Sequence, residues 1–175
     1  MSDPSAAPGV RAAAAVHVLA ERGQTLAVAE SLTGGLLSAN IVEIAGVSAV
    51  FRGGLVVYAT ELKSSLAGVP ADLLDARGPV DPDVAAAMAR GARAACGADW
   101  GVATTGVAGP EPQGGKPVGT VYVAVAGPGG DAVRRLALAG NREAVRDGAV
   151  TAALELLTAQ LRAAAAPHRS AAGLG

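Results

Sequence analysis

The segment Thr25-Leu26-Ala27-Val28-Ala29-Glu30-Ser31-Leu32-Thr33-Gly34-Gly35-Leu36-Leu37-Ser38-Ala39-Asn40-Ile41-Val42-Glu43-Ile44 decides the architecture of this chain. Its first six residues, closing at Glu30, have the length and apolar content of a short buried strand. A polar turn through Ser31, Thr33, Gly34 and Gly35 follows, and residues 36–44 resume a helical pattern. A strand feeding a helix through a tight turn is the repeating unit of an α/β sheet.

Working outward, residues 10–22 read as a helix stopped by Gly23. Downstream, Gly53-Gly54 precede a second strand, Leu55 to Tyr58, and a short helix begins near Thr60. Gly78-Pro79 marks a loop. Asp81 then Pro82 pairs an N-cap acceptor with a proline at the first helical position, predicting a helix to about Cys96. Trp100 to Thr104 is a third strand, and residues 106–119 form a Gly/Pro loop. Strands at Thr120 to Ala126 and Ala132 to Ala139 are joined by a hairpin-type connection, Gly127 to Gly130. Asn141 caps a long last helix with Glu143 and Asp147 in its early turns, the favourable end for acids. The predicted fold class is α/β, a single-domain layered sandwich with a mixed β-sheet flanked by helices. The expected organisation is a flexible N-terminus at 1–9, one domain over 10–166, and a flexible tail at 167–175.

Composition narrows the function. Of 175 residues, 51% are hydrophobic and 17% charged, enough apolar material for a sizeable core. The formal net charge is -1, and the aromatic set is only Phe51, Tyr58, Trp100 and Tyr122. Neither a basic surface nor a stacking platform is indicated, so no nucleic-acid partner is expected. Cys96 is alone, which excludes an internal disulfide and a Cys-rich zinc site. His17 and His168 are too far apart for an HxxxH pair and poorly placed to serve a Ser-His triad. Glu30, Glu43 and Asp99 have no recognisable metal spacing, so no metal is expected. The start, Met1-Ser2-Asp3-Pro4, lacks a charged targeting region, and Glu21, Glu30 and Glu43 interrupt the apolar runs. A soluble cytoplasmic protein with no membrane partner is expected.

Three polar turns follow predicted strands, and they share one edge if the strands are parallel neighbours. The first holds Ser31, which lies near the unpaired N–H groups of the following helix; such donors hold a phosphate or an oxyanion. Thr33, Gly34 and Gly35 would let a ligand approach the backbone. An ordinary Ser or Thr cap explains the same residues. A serine nucleophile needs a base, and with histidine scarce Lys63 is the candidate. It must lose its proton, for which the start of a helix, burial or a nearby cation supplies the cause. Tyr58, at the end of the same strand, is placed to orient the amine or relay a proton. Their plain alternatives are a strand-end residue and a solvated helix charge. The third turn offers Thr104, Thr105, Gly106 and Gly109 as polar or backbone contacts, or is simply a Gly-rich strand exit. Lys116 lies in Gly114-Gly115-Lys116-Pro117, which is not a phosphate loop, because Pro110 replaces its first glycine and Pro117 its Ser/Thr. Arg142 and Arg146 are four apart on one face of the last helix. They are candidates for a substrate phosphate, or else partners of neighbouring acids.

Together the segments Ala29 to Gly35, Phe51 to Tyr58 with Lys63, Thr104 to Pro110, Lys116 to Thr120 and Gly140 to Arg146 resemble the CinA C-terminal-domain family, the nicotinamide-nucleotide amidases. The resemblance runs from about Val10 to Leu161. It implies a metal-independent amidohydrolase with no cofactor, converting nicotinamide mononucleotide to the acid plus ammonia. By matched position it implies Ser31 as nucleophile, Lys63 as base and Tyr58 as supporting hydroxyl. It also implies substrate contacts at Thr105 and nearby backbone, and at Arg142 and Arg146 for the phosphate. A homo-oligomer acting on a small nucleotide is expected. A non-catalytic nucleotide-binding module, or an amidase for another pyridine-nucleotide-like amide, is the alternative. The loop from Gly109 to Lys116 is shorter than in many members, which bears on substrate fit. Gly78-Pro79-Val80-Asp81 replaces a more usual Gly-Ala-Val-Ser, a change of helix cap. The family includes fusions to an N-terminal domain, which is expected to be absent here.

Overall fold

The structure, a computed structural model, describes residues 8–165. The expectations for 1–7 and for the tail from 166 lie outside the described residues, as does His168. Five strands form one sheet: β1 (Leu26–Glu30), β2 (Phe51–Val56), β3 (Trp100–Gly106), β4 (Thr120–Gly127) and β5 (Gly130–Ala137). Among the described residues six α-helices accompany them: α1 (Pro8–Glu21), α2 (Leu36–Val42), α3 (Thr60–Ser65), α4 (Ala71–Arg77), α5 (Pro82–Cys96) and α6 (Arg142–Ala165). The strand order is β2-β1-β3-β4-β5. β1 pairs parallel with β2 and β3, whereas β4 and β5 complete the sheet antiparallel. This is a mixed sheet with helices on both faces, an α/β layered sandwich.

Alternation within the strands separates the two faces. Leu26, Val28, Val102, Val121, Val123 and Val125 point to one side, where they meet α1, α2 and α6. Ala27, Ala29, Ala103, Ala124 and Ala126 point to the other, packed on α5 and the segment before it. Small residues on that second face let α5 approach closely: a Cβ at Gly101 would stand 2.0 Å from the Ala89 carbonyl oxygen. The helix caps follow the residue types. Asp81 accepts from the Asp83 N–H at 2.8 Å, and Asn141 from the Ala144 N–H at 2.9 Å.

Several boundaries differ from the reading of the sequence. α1 opens at Pro8, two residues early. β2 begins at Phe51 and ends at Val56, so Gly53 and Gly54 lie inside it. Gly54 is there for contact: a Cβ on it would stand 2.6 Å from Ser38 Oγ and 2.9 Å from Val28. The short helix expected near Thr60 is α3; a further one, α4, follows it after Gly68 at a positive φ of 65° and opens behind Pro70. Among the described residues, no helix is long and apolar enough to cross a membrane.

Strand direction and order place the functional edge. The carboxyl ends of β2, β1 and β3 lie side by side at Val56, Glu30 and Gly106. The chain runs from β1 to β2 on one side, then crosses back to β3 on the other. β1 and β3 therefore flank a topological switch point, the usual place for a ligand in an open α/β sheet. Because β4 and β5 are antiparallel, the 107–119 loop and the start of α6 return to the same edge.

Candidate active site

The first turn is held by the residue before the serine. Glu30 is fully buried at the end of β1. One of its carboxylate oxygens accepts from the N–H groups of Gly35 and Leu37 at 3.1 and 2.9 Å. The other accepts from the Ser38 N–H and hydroxyl at 2.8 and 2.7 Å. Glu30 therefore does the work of an N-cap for α2, whose own cap residue, Gly35, has no side chain to offer. The expectation that these helix donors await a phosphate or oxyanion is corrected: the protein's own carboxylate fills the position. Thr33, Gly34 and Gly35 do not line the cavity. Thr33 Oγ1 meets Thr104 Oγ1 at 2.8 Å in the interior, and Gly34 and Gly35 take positive φ values of 57° and 101° to bend the chain back toward Glu30. The signal in the sequence was an acid ending an apolar strand just ahead of a glycine pair and a helix.

Ser31 and Lys63 come together. Lys63 Nζ donates to Ser31 Oγ at 2.9 Å and to the Val57 carbonyl at 3.1 Å. Lys63 is 1% exposed and Ser31 8% exposed. Burial lowers the Lys63 pKa from 10.5 to about 8, opposed in smaller measure by the negative charge of Glu61. Of the expected causes, burial is the one at work, through loss of water around the ammonium; Lys63 is the fourth of six residues in α3, whose N-cap is Ala59. The amine is oriented by the Val57 carbonyl. Tyr58 lines the same cavity but is 59% exposed, and among the described residues its hydroxyl bonds only to Arg142 Nη2, at 3.0 Å.

The remaining wall comes from β3 and α6. A cavity of about 120 Å³ is lined by Ser31, Tyr58, Lys63, Thr105, Gly109 and Arg142, among others. The Thr105 hydroxyl donates to the Pro79 carbonyl at 2.6 Å, tying β3 to the segment before α5. Gly106 and Gly109 contribute backbone to the lining. Arg142 also donates to the Gly109 carbonyl at 2.6 Å, so it fastens the third turn and Tyr58 at once. Arg146 does not line the cavity; it donates to the carbonyls of Leu32 and Thr33 at 3.0 and 2.8 Å. Its expected role toward a phosphate gives way to bracing the turn that carries Ser31. Arg146→Ala is expected to lower the unfolding free energy by about 2 kcal/mol in urea titrations, since two charge-assisted hydrogen bonds go and two carbonyls lose their partner. Among the described residues, no three His, Cys, Asp or Glu side chains come close enough to hold a metal ion.

Residues 10–161 match the CinA C-terminal domain. The chain belongs to that family. Its CinA-like relatives include a protein of Frankia casuarinae, 52% identical over 144 residues, which cover 82% of this chain and 33% of that protein. Another, from Geobacter sulfurreducens, is 49% identical over 151 residues, covering 85% of this chain and 36% of its own length. The chain thus spans about a third of the length of these curated CinA-like relatives. Solved CinA-type structures match nearly end to end. A competence damage-inducible protein A from Klebsiella pneumoniae superposes with a TM-score of 0.87 at 34% identity, covering 90% of this chain and 98% of that one. A competence/damage-inducible protein from Agrobacterium tumefaciens gives 0.85 at 34% identity, covering 93% and 99%.

Proposed function

We propose that this protein is a Ser-Lys amidohydrolase of the cytoplasm that deamidates nicotinamide mononucleotide to nicotinate mononucleotide and ammonia. One observation carries the reading: a buried lysine within 2.9 Å of a serine at the switch point of the sheet, its pKa brought down to about 8. A lysine at its ordinary value would be uncharged in only a few parts in ten thousand at pH 7; at about 8 roughly a tenth is uncharged. The charged amine donates to Ser31, whereas the neutral amine accepts from it.

The course follows from that reversal. Neutral Lys63 takes the Ser31 hydroxyl proton as the oxygen attacks the carboxamide carbon. The charge that develops on the carbonyl oxygen needs a donor within the cavity. In the turn, the N–H groups of Ser31, Gly34, Gly35, Leu36, Leu37 and Ser38 are engaged. That of Leu32 donates to no described residue, and Leu32 lines the cavity, so its N–H is assigned this role. The Lys63 ammonium returns the proton to the leaving nitrogen, and ammonia departs. Lys63, neutral again, then deprotonates the water that releases the acid from Ser31.

The test is ammonia release from nicotinamide mononucleotide with a chelator present, followed across pH. The rate is expected to rise about tenfold per pH unit below 8 and to level off above it, because the neutral amine is the working form. No release by folded protein, or a flat profile with chemistry rate-limiting, would remove the reading.

A further inference from the structure

A second cavity, of about 240 Å³, adjoins the first and shares Thr60, Pro79, Val80 and Gln113 with it. Two observations point to what it takes. The first is size. The cavity at Ser31, about 120 Å³, has the liquid volume of about four waters and lies well below the usual range of ligand pockets. A whole nucleotide bound at Ser31 must therefore extend beyond it.

The second is charge. In the first cavity the cations Lys63 and Arg142 share the lining with Glu111; Lys63 is bonded to Ser31 and Val57, and the Arg142 guanidinium to Gly109 and Tyr58. The lining of the second contains two cations, Arg77 and Lys116, and no acid. Arg77 has a distant partner in Asp83, at 3.7 Å, outside that lining. Lys116 has no carboxylate within 4 Å among the described residues. Its ammonium stands 5.8 Å from the centroid of the Tyr122 ring, within reach of a cation–π contact. Its backbone is fixed as well. Gln113 and Lys116 exchange N–H to carbonyl bonds of 3.1 and 2.9 Å across Gly114 and Gly115, whose φ values of 56° and 74° are those of a two-residue hairpin turn.

We propose that the adjoining cavity receives the phosphate-bearing arm of the substrate, with Lys116 as the anion contact and Arg77 as a second cation in its wall. The identity of the substrate rests on the amidase reading; the subsite rests on the two cavities and their charges. Ser31→Ala protein, alone and carrying Lys116→Gln, is titrated calorimetrically with nicotinamide mononucleotide and with its riboside. The monophosphate is expected to bind at least about tenfold more tightly than the riboside. Lys116→Gln should weaken the monophosphate by about tenfold to a hundredfold, as loss of a charge-assisted contact does, and leave the riboside unchanged. Lys116→Arg, which keeps the charge, should restore most of the difference.

An equal loss for both ligands, no loss for either, or no binding of the monophosphate would overturn the subsite. So would a phosphate preference lost in Arg142→Gln and kept in Lys116→Gln. The two readings fail separately. If native protein releases no ammonia while Lys116 still sets the phosphate preference, the amidase falls and the subsite stands. If native protein releases ammonia and Lys116→Gln leaves KM unchanged, the subsite falls and the amidase stands.

Discussion

Ser31→Ala is expected to reduce ammonia release by about four orders of magnitude or more while the protein stays folded. Removing a nucleophile abolishes the covalent route, and what survives is the weaker assistance of binding and backbone donors. The substitution is small and local. Ser31 is 8% exposed, and its backbone N–H bond to Thr104, 3.0 Å long, does not involve the side chain. The side chain does accept from Lys63 at 2.9 Å, so melting and urea midpoints should fall by the equivalent of about 1 kcal/mol, far too little to unfold the protein. Activity measured beside those midpoints checks the expectation; normal turnover by folded Ser31→Ala protein would end the serine mechanism.

Lys63→Met should cost activity to a similar extent and change stability in the opposite sense. Methionine keeps much of the length of the side chain and drops the charge. Folding lowers the Lys63 pKa from 10.5 to about 8, so the native state binds fewer protons than the unfolded chain between those values. Below about pH 8 the native protein carries the full penalty of the buried charge, about 3 kcal/mol for a shift of this size. As pH rises from 8 to 10.5 the penalty disappears, and stability increases from this source. Against it, the variant loses two hydrogen bonds, worth about 1 kcal/mol each. Lys63→Met is thus expected to be as stable as the native protein or slightly more so at pH 7, and to lose that advantage toward pH 10. Urea unfolding of both proteins at the two pH values is the check. In the double variant with Ser31→Ala, activity should fall no further than in either single one, because residues that act as a unit do not add. Further loss in the double variant would separate Lys63 from Ser31.

The order of helices and strands was legible because it rests on local signals. Asp81-Pro82 and Asn141 act where those residue types act in any helix, and the strands show themselves by their apolar runs. The shared edge of the three turns was legible as a condition on parallel pairing, which the register of β1 with β2 and β3 meets. The features that were not legible depend on distant parts of the chain. Gly53 and Gly54 read as a break ahead of a strand, because nothing nearby in sequence shows that Ser38 presses on Gly54. Glu30 read as an unmatched acid, since its donors are supplied only when α2 folds back over the end of β1. Arg142 and Arg146 read as a pair facing an anion. Which way they reach is set by where α6 crosses the turns, and there they meet carbonyls and a tyrosine. For the lowered pKa of Lys63 the sequence offered the helix start, burial or a nearby cation; that burial is the cause depends on the layer packed around α3, which no local signal shows.

The bracing by Arg142 and Arg146 has a consequence for the order in which the molecule is made. Ser31, Tyr58 and Lys63 are synthesised before the side chains that fasten the turns around them, which come from the opening of α6. A nascent chain leaving the ribosome would carry all three residues without a completed site until that helix followed. The proposed chemistry would begin only once α6 had emerged and closed over the sheet, so a product truncated before that helix would hold all three side chains and remain idle.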